Sequence, residues 1–165
     1  MKMIIKEIKG NAVELFLKRK VHLIHGCNCY CNMGAGIAKE VKHKIPGAFK
    51  IDALTMKGDQ RKLGTNSIYM TEEGQIVFNA YTQFKFWGTG PQVDYDAIRS
   101  CFVSAVERAS AFPEKLPIIT PLIGAGLAGG DWLRISAIID ECTGDYPIIV
   151  VHFDPSVDPH KADLS

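Results

Sequence analysis

At 165 residues, 47% hydrophobic and 22% charged, the chain has the composition of one globular domain able to bury a sizeable core. Nineteen basic against eighteen acidic residues leave a formal net charge of +1, so no whole-protein electrostatic footprint points to nucleic acid or a membrane surface. No run of about 18 apolar residues is present to span a bilayer, and Met1 to Gly10 alternates charge with Ile where a signal peptide would carry an apolar core. A cytoplasmic protein is expected.

The predicted elements alternate along the chain. Met3 to Ile8 reads as a strand, Asn11 to Lys20 as a short helix, and Val21 to His25 as a second strand. A helix follows from Gly34-Ala-Gly36, carries Ile37, Ala38, Val41 and Ile45 on one side, and ends at Pro46-Gly47. Lys57 to Lys62 reads as a solvated loop. Ser67 to Thr71 and Gln75 to Ala80 form an antiparallel hairpin around Glu73-Gly74.

Between Asp94 and Ser110, the apolar residues Ile98, Cys101, Phe102, Ala105, Val106 and Ala109 recur at steps of three and four, a single helical stripe. Leu116 to Leu122 and Pro147 to Phe153 contain continuous apolar runs, as expected of strands covered on both faces. Between them a helix opens at Asp131, runs through Trp132, Ile135, Ile139 and Cys142, and stops at Gly144; Asp131 reads as its N-cap, a role worth about 1 kcal/mol. His152, on the last strand, reads as a packed side chain. The pattern predicts a three-layer α/β/α sandwich with a mixed central sheet. Residues 1–155 form a single domain in this reading, and 156–165 a polar C-terminal tail.

The five cysteines, Cys27, Cys29, Cys31, Cys101 and Cys142, are an odd number and read as reduced thiols. In His25-Gly-Cys27-Asn-Cys29-Tyr-Cys31 the one-residue spacing does not suit zinc, whose paired ligands are spaced so that a turn aims both at one ion. No metal is expected, and no cysteine begins the C-x5-R pattern of a cysteine phosphatase.

Two glycine-rich loops follow strand ends. Val21 to His25 runs into Gly26-Cys-Asn-Cys-Tyr-Cys-Asn-Met-Gly-Ala-Gly-Ile-Ala, and Leu116 to Leu122 into Ile-Gly124-Ala-Gly126-Leu-Ala-Gly129-Gly130-Asp-Trp, each leading to a helix. Ligands of open α/β sheets sit outside the carboxyl ends of the strands, glycine lets backbone approach them closely, and free amides before a helix favour anions. One such loop reads as a tight turn; two together read as a grip on a diphosphate. Gly124-x-Gly126-x-x-Gly129 formally matches a dinucleotide fingerprint, but too little chain follows it for a full dinucleotide fold. P-loop, G-x-S-x-G and H-E-x-x-H motifs are absent.

His25-Gly-Cys-Asn28, Met33-Gly-Ala-Gly36-Ile-Ala and Pro121-Leu-Ile-Gly124-Ala-Gly126-Leu-Ala-Gly-Gly-Asp131-Trp132 together resemble the macrodomain family, which binds ADP-ribose. They look most like its small single-domain ADP-ribose-1''-phosphate phosphatases. The resemblance spans nearly the whole chain. It implies a site in which Gly10-Asn11 stands where the family has a Gly-Asp pair on the adenine amino group, so that acidic contact is missing. It places Cys27 and Asn28 beside the distal ribose, and Met33, Gly34, Ala35, Gly36 and Ile37 along the diphosphate. Ile123, Gly124, Ala125, Gly126, Leu127 and Ala128 would embrace the diphosphate from the other side. Phe153 falls where an aromatic often meets adenine, a contact worth roughly 1–3 kcal/mol, although a core Phe is an equal alternative.

For catalysis, the resemblance implies removal of the 1''-phosphate without metal or cofactor, with Asn28 orienting ribose or water and His25 as a candidate acid or base near neutrality. A glycohydrolase branch uses a lysine and an aspartate that align near Gln83 and Ala128, and an antitoxin branch acting on DNA uses a lysine near Gln83. Those groups are missing here, although Gly129-Gly130-Asp131-Trp132 is similar to the antitoxin branch. The expected partner is therefore ADP-ribose or ADP-ribose-1''-phosphate, bound by a monomer, with neither nucleic acid nor membrane expected. A module that binds ADP-ribose without turnover is the alternative, as is de-ADP-ribosylation of protein or nucleic acid.

Overall fold

A computed structural model describes residues 5–165. Five parallel strands and one antiparallel edge strand make a single sheet in the order β1-β6-β5-β2-β4-β3. The strands are β1 (Lys6–Gly10), β2 (His22–Asn28), β3 (Asn66–Met70), β4 (Ile76–Gln83), β5 (Ile118–Thr120) and β6 (Ile148–Phe153). Met3 and Ile4 of the first predicted strand lie outside the described residues. The hairpin is present as β3 and β4, with Gly74 at φ 84° in its turn, a conformation glycine adopts freely.

Helices cover both faces. On one side α1 (Ala12–Lys18), α2 (Gly36–Lys44) and α3 (Pro46–Ala53) bury Leu15, Phe16, Val41 and Ile45 against Leu23, Val77, Ile119 and Val151. On the other, α4 (Tyr95–Ser110) and α5 (Trp132–Cys142) bury Ile98, Phe102, Ile135 and Ile139 against Ile24, Phe78 and Ile118. The predicted α4 stripe is the buried face, apart from half-buried Val106. With helices on both faces, β4 is buried from Ile76 to Thr82, which is why it reads as a nearly unbroken apolar run.

The chain departs from the predicted elements at α3. Pro46 was expected to end a helix, but it occupies the first turn of a new one, where a missing N–H costs nothing and the fixed φ suits the helix. The second helix brings Asp52 into the core. Burial raises its carboxyl above the ordinary carboxylate range, and it accepts the Tyr81 hydroxyl at 2.6 Å. Lys62 overturns the solvated-loop expectation. It is 8% exposed, donates to the Cys29 carbonyl at 3.1 Å, and lies 4.6 Å from the Tyr81 ring centroid, a cation–π contact.

His152 is likewise not simply packed. Its Nε2 meets Glu7 Oε1 at 2.7 Å on the open side of the β1 edge. Residues 156–165, polar by composition, fold back on α1: Arg19 donates to the carbonyls of Pro159 and Ala162, and Ala162 and Leu164 pack on the α1–α3 core. No helix among the described residues is long and apolar enough to cross a membrane.

Candidate functional site

The carboxyl ends of β2, β4, β5 and β6 open into a cleft of about 470 Å³. β2 forms its floor. A register shift between Cys27 and Asn28 places Asn28 opposite Gln83 of β4, so both amide side chains reach the cleft. The Asn28 Nδ2 donates to the Asn32 carbonyl at 2.8 Å, and its Oδ1 accepts the Tyr30 amide at 2.9 Å. Asn32 Oδ1 then accepts the Gly34 amide at 3.0 Å. Two asparagines thus fold the loop, and each Asn28 polar atom keeps further hydrogen-bonding capacity for a ligand.

That loop delivers the chain to α2 with no cap. Ala35 occupies the N-cap position and has no side-chain acceptor, and the first turn carries no acidic residue. The amides of residues 36–38 are left to face outward, the arrangement that binds anions at a helix N-terminus. Gly36 makes the turn at φ 59°, and a Cβ there would lie 3.6 Å from Leu127 Cδ1, so the two glycine loops touch across the cleft.

The second loop, residues 123–130, is tied by its own backbone. Gly130 donates to the Gly124 carbonyl at 2.7 Å, Gly129 to that of Gly126 at 3.0 Å, and the Ala128 carbonyl accepts the Gln92 amide at 2.7 Å. A Cβ on Gly130 would come within 2.6 Å of the Gly124 carbonyl oxygen, so only glycine fits there. Among the described residues, the amides of Gly126, Leu127 and Ala128 have no acceptor within the protein. They line the cleft opposite α2.

Most predicted site residues converge here: Cys27, Asn28, residues 35–37, residues 123–128 and Phe153 all line the cleft. Phe153 is 73% exposed, which decides against the core alternative. Gly10 and Asn11 line an adjoining hollow. Gly34 lies outside the cleft, with its amide taken by Asn32. Met33 does not reach the ligand space either; at 2% exposed it packs in the core under α2.

His25 is the main correction. It is fully buried, outside the cleft lining, with Nε2 2.7 Å from Asn79 Oδ1. Burial lowers its pKa to about 4, with the Asn79 bond opposing that shift. A neutral imidazole sealed in the core has no access to substrate, so it is a structural residue. The cysteines also separate. Burial raises the Cys27 thiol well above its ordinary pKa, so it stays protonated in the cleft floor. Cys29 Sγ points to the Gln83 carbonyl and Cys31 Sγ to that of Asp52.

Three polar side chains of the cleft escaped the sequence reading. Thr82 is buried, its hydroxyl has no partner among the described residues, and it lines the cleft beside Gly26. It was missed because β4 was expected to end at Ala80. Asn32 sits within the first glycine loop, where the glycines drew the reading past it, and Gln92 in a loop whose composition gave no signal. Asp131, by contrast, caps α5 as expected, its Oδ1 accepting the Leu133 amide at 3.0 Å.

The Macro domain family model matches residues 24–139, both glycine loops included. An uncharacterised 17.5 kDa protein from the tk-vs intergenic region of Enterobacteria phage T4 is 36% identical over 157 residues, covering 93% of this chain and 99% of that protein. A Bacteroides thetaiotaomicron protein of unknown function superposes with a TM-score of 0.75 at 26% identity, over 91% of this chain and 98% of the other. Thermosipho africanus DarTG, solved in complex with ADP-ribose, shares the fold at a TM-score of 0.71 and 17% identity, covering 88% of this chain and 40% of that one. Sequence match, fold and paired glycine loops agree: the chain belongs to the macrodomain family, whose members bind and process ADP-ribose.

Proposed function

We propose that this macrodomain binds ADP-ribose with its diphosphate between the α2 N-terminus and the second loop, and that it releases phosphate from ADP-ribose-1''-phosphate. The observation that carries the reading is the set of unpaired amides facing each other across the cleft, at residues 36–38 and 126–128. A diphosphate supplies acceptors for both sets, and the likeness to DarTG, solved with ADP-ribose, supports the ligand's identity.

With the diphosphate so held, the distal ribose lies toward Asn28, Thr82 and Gln83. Asn28 Nδ2 then orients the ribose and an attacking water. Water adds at phosphorus as the bond to the C1'' oxygen breaks. The proton lost by the water ends on that oxygen, passing through the phosphate itself. Such a route asks the protein for position and charge stabilisation, with no side chain titrating near neutrality. Gln83 and Ala128 both line the cleft and supply neither lysine nor aspartate, which weighs against removal of ADP-ribose from protein or nucleic acid by the lysine–aspartate route.

Purified protein is expected to release phosphate from ADP-ribose-1''-phosphate, and Asn28→Ala to lose at least about tenfold in kcat/KM. Undiminished turnover in that variant would overturn the mechanism. Binding without turnover is the second reading, favoured by a cleft whose titratable thiol stays protonated. Heat on mixing with ADP-ribose, with phosphate release absent, would establish it.

A further inference from the structure

A second hollow of about 340 Å³ continues from the cleft, sharing Gly36, Ile37, Pro121, Val151 and Phe153 with it. A ligand whose diphosphate sits on the α2 amides and whose distal ribose meets Asn28 must send its other arm here. The hollow has one flat apolar surface, the exposed Phe153 ring, and its polar side chains are Asn11 and Glu40.

Asn11 is held in place by two bonds. Its Oδ1 accepts the Glu14 amide at 3.1 Å as the cap of α1, and its Nδ2 donates to Glu40 Oε2 at 3.1 Å. Lys44 Nζ reaches the same Oε2 at 3.1 Å. Both donors fall on one oxygen, which leaves Oε1 of Glu40 as an acceptor without a protein partner among the described residues. The carboxylate missing at position 11 is therefore present in the hollow, contributed by α2 instead of the β1–α1 turn.

Resting on the proposed ADP-ribose reading, we propose that Glu40 is the specificity-determining residue for the base, its carboxylate accepting the exocyclic amino group of an adenine seated against Phe153. A carboxylate only accepts, so it favours a 6-amino group and opposes a 6-oxo group, whose lone pairs would face it. Its two tethers hold it in place before the ligand arrives, so little side-chain freedom is lost on binding. The arrangement also accounts for Asn at position 11: an aspartate there would set a second negative charge against Glu40.

The test is calorimetric titration of the full chain and two variants with ADP-ribose and inosine diphosphate ribose. The unaltered protein should bind ADP-ribose at least about tenfold more tightly, the size of one charge-assisted hydrogen bond. In Glu40→Ala the preference should collapse to within about twofold. Glu40→Gln should invert it, because Asn11 and Lys44 pin the amide oxygen and turn its N–H₂ toward the base. Thermal melting checks that both variants fold, and the half-exposed site predicts that they do. Retention of the original preference by either folded variant would overturn the role of Glu40 while leaving the diphosphate reading intact. Equal affinity of the unaltered protein for the two ligands would also overturn it. Failure to bind either ligand would remove both inferences.

Discussion

Two helices follow glycine loops at strand ends in this fold, and they begin differently. At α5 the chain supplies its own anion: Asp131 Oδ1 accepts the Leu133 amide, and the Tyr95 hydroxyl oxygen accepts the Asp131 amide at 3.0 Å. At α2 the equivalent position is Ala35, which supplies nothing. At a capped start a side-chain oxygen satisfies one first-turn donor and its charge opposes the dipole, whereas an uncapped one at the edge of a cleft is an anion site. Of two similar-looking loops, then, only the first leads to a helix left open for ligand. The second contributes its own turn amides, residues 126–128, and closes its helix.

The sharpest way to break this contrast is to cap α2. Ala35→Asp should weaken ADP-ribose at least about a hundredfold, by occupying the amides and repelling the diphosphate, while leaving stability unchanged or raised by about 1 kcal/mol. Calorimetry and thermal melting read the two effects separately, and a parallel loss of both would show only a damaged fold. Asp131→Ala is the complementary change. It should cost about 1 kcal/mol in denaturant unfolding and leave ADP-ribose affinity within about twofold. A large loss of affinity there would move the anion site to α5.

A change of pH should move ligand affinity least, although it acts on stability. His22 and His25 are both held near pKa 4 by burial, below the ordinary 6.5. His22 Nδ1 accepts the Ile76 amide at 3.0 Å, a bond that the protonated ring would lose. The unfolded chain therefore takes up protons first, and stability should be full above pH 6.5 and decline as pH falls toward 4. Affinity for ADP-ribose should stay flat from pH 6.5 to 8, because the diphosphate is held by backbone amides. Denaturant melts and calorimetry across that range check both.

Much of this was legible in the sequence. Helical periodicity located the α4 stripe, and a glycine run after each of two strands located the cleft, because both signals are local. The misses are non-local. Pro46 reads as a stop unless a second helix is known to begin there. His25 carries reactive chemistry on paper, and only its partner Asn79, on a neighbouring strand, shows that it is sealed. Lys62 looks solvated until the Cys29 carbonyl and the Tyr81 ring are placed above it. Glu40 lies 29 residues from Asn11 along the chain, and nothing in a one-dimensional string brings the two together.

The open helix start and its facing loop are tested most directly by amide ¹H–¹⁵N spectra recorded during addition of ADP-ribose. Resonances of residues 36–38 and 126–128 should shift together and saturate with the ligand, while those of Trp132, Leu133 and Arg134 at the capped start of α5 hold still. Stationary signals in the first two groups, or larger movement in the third, would contradict the account.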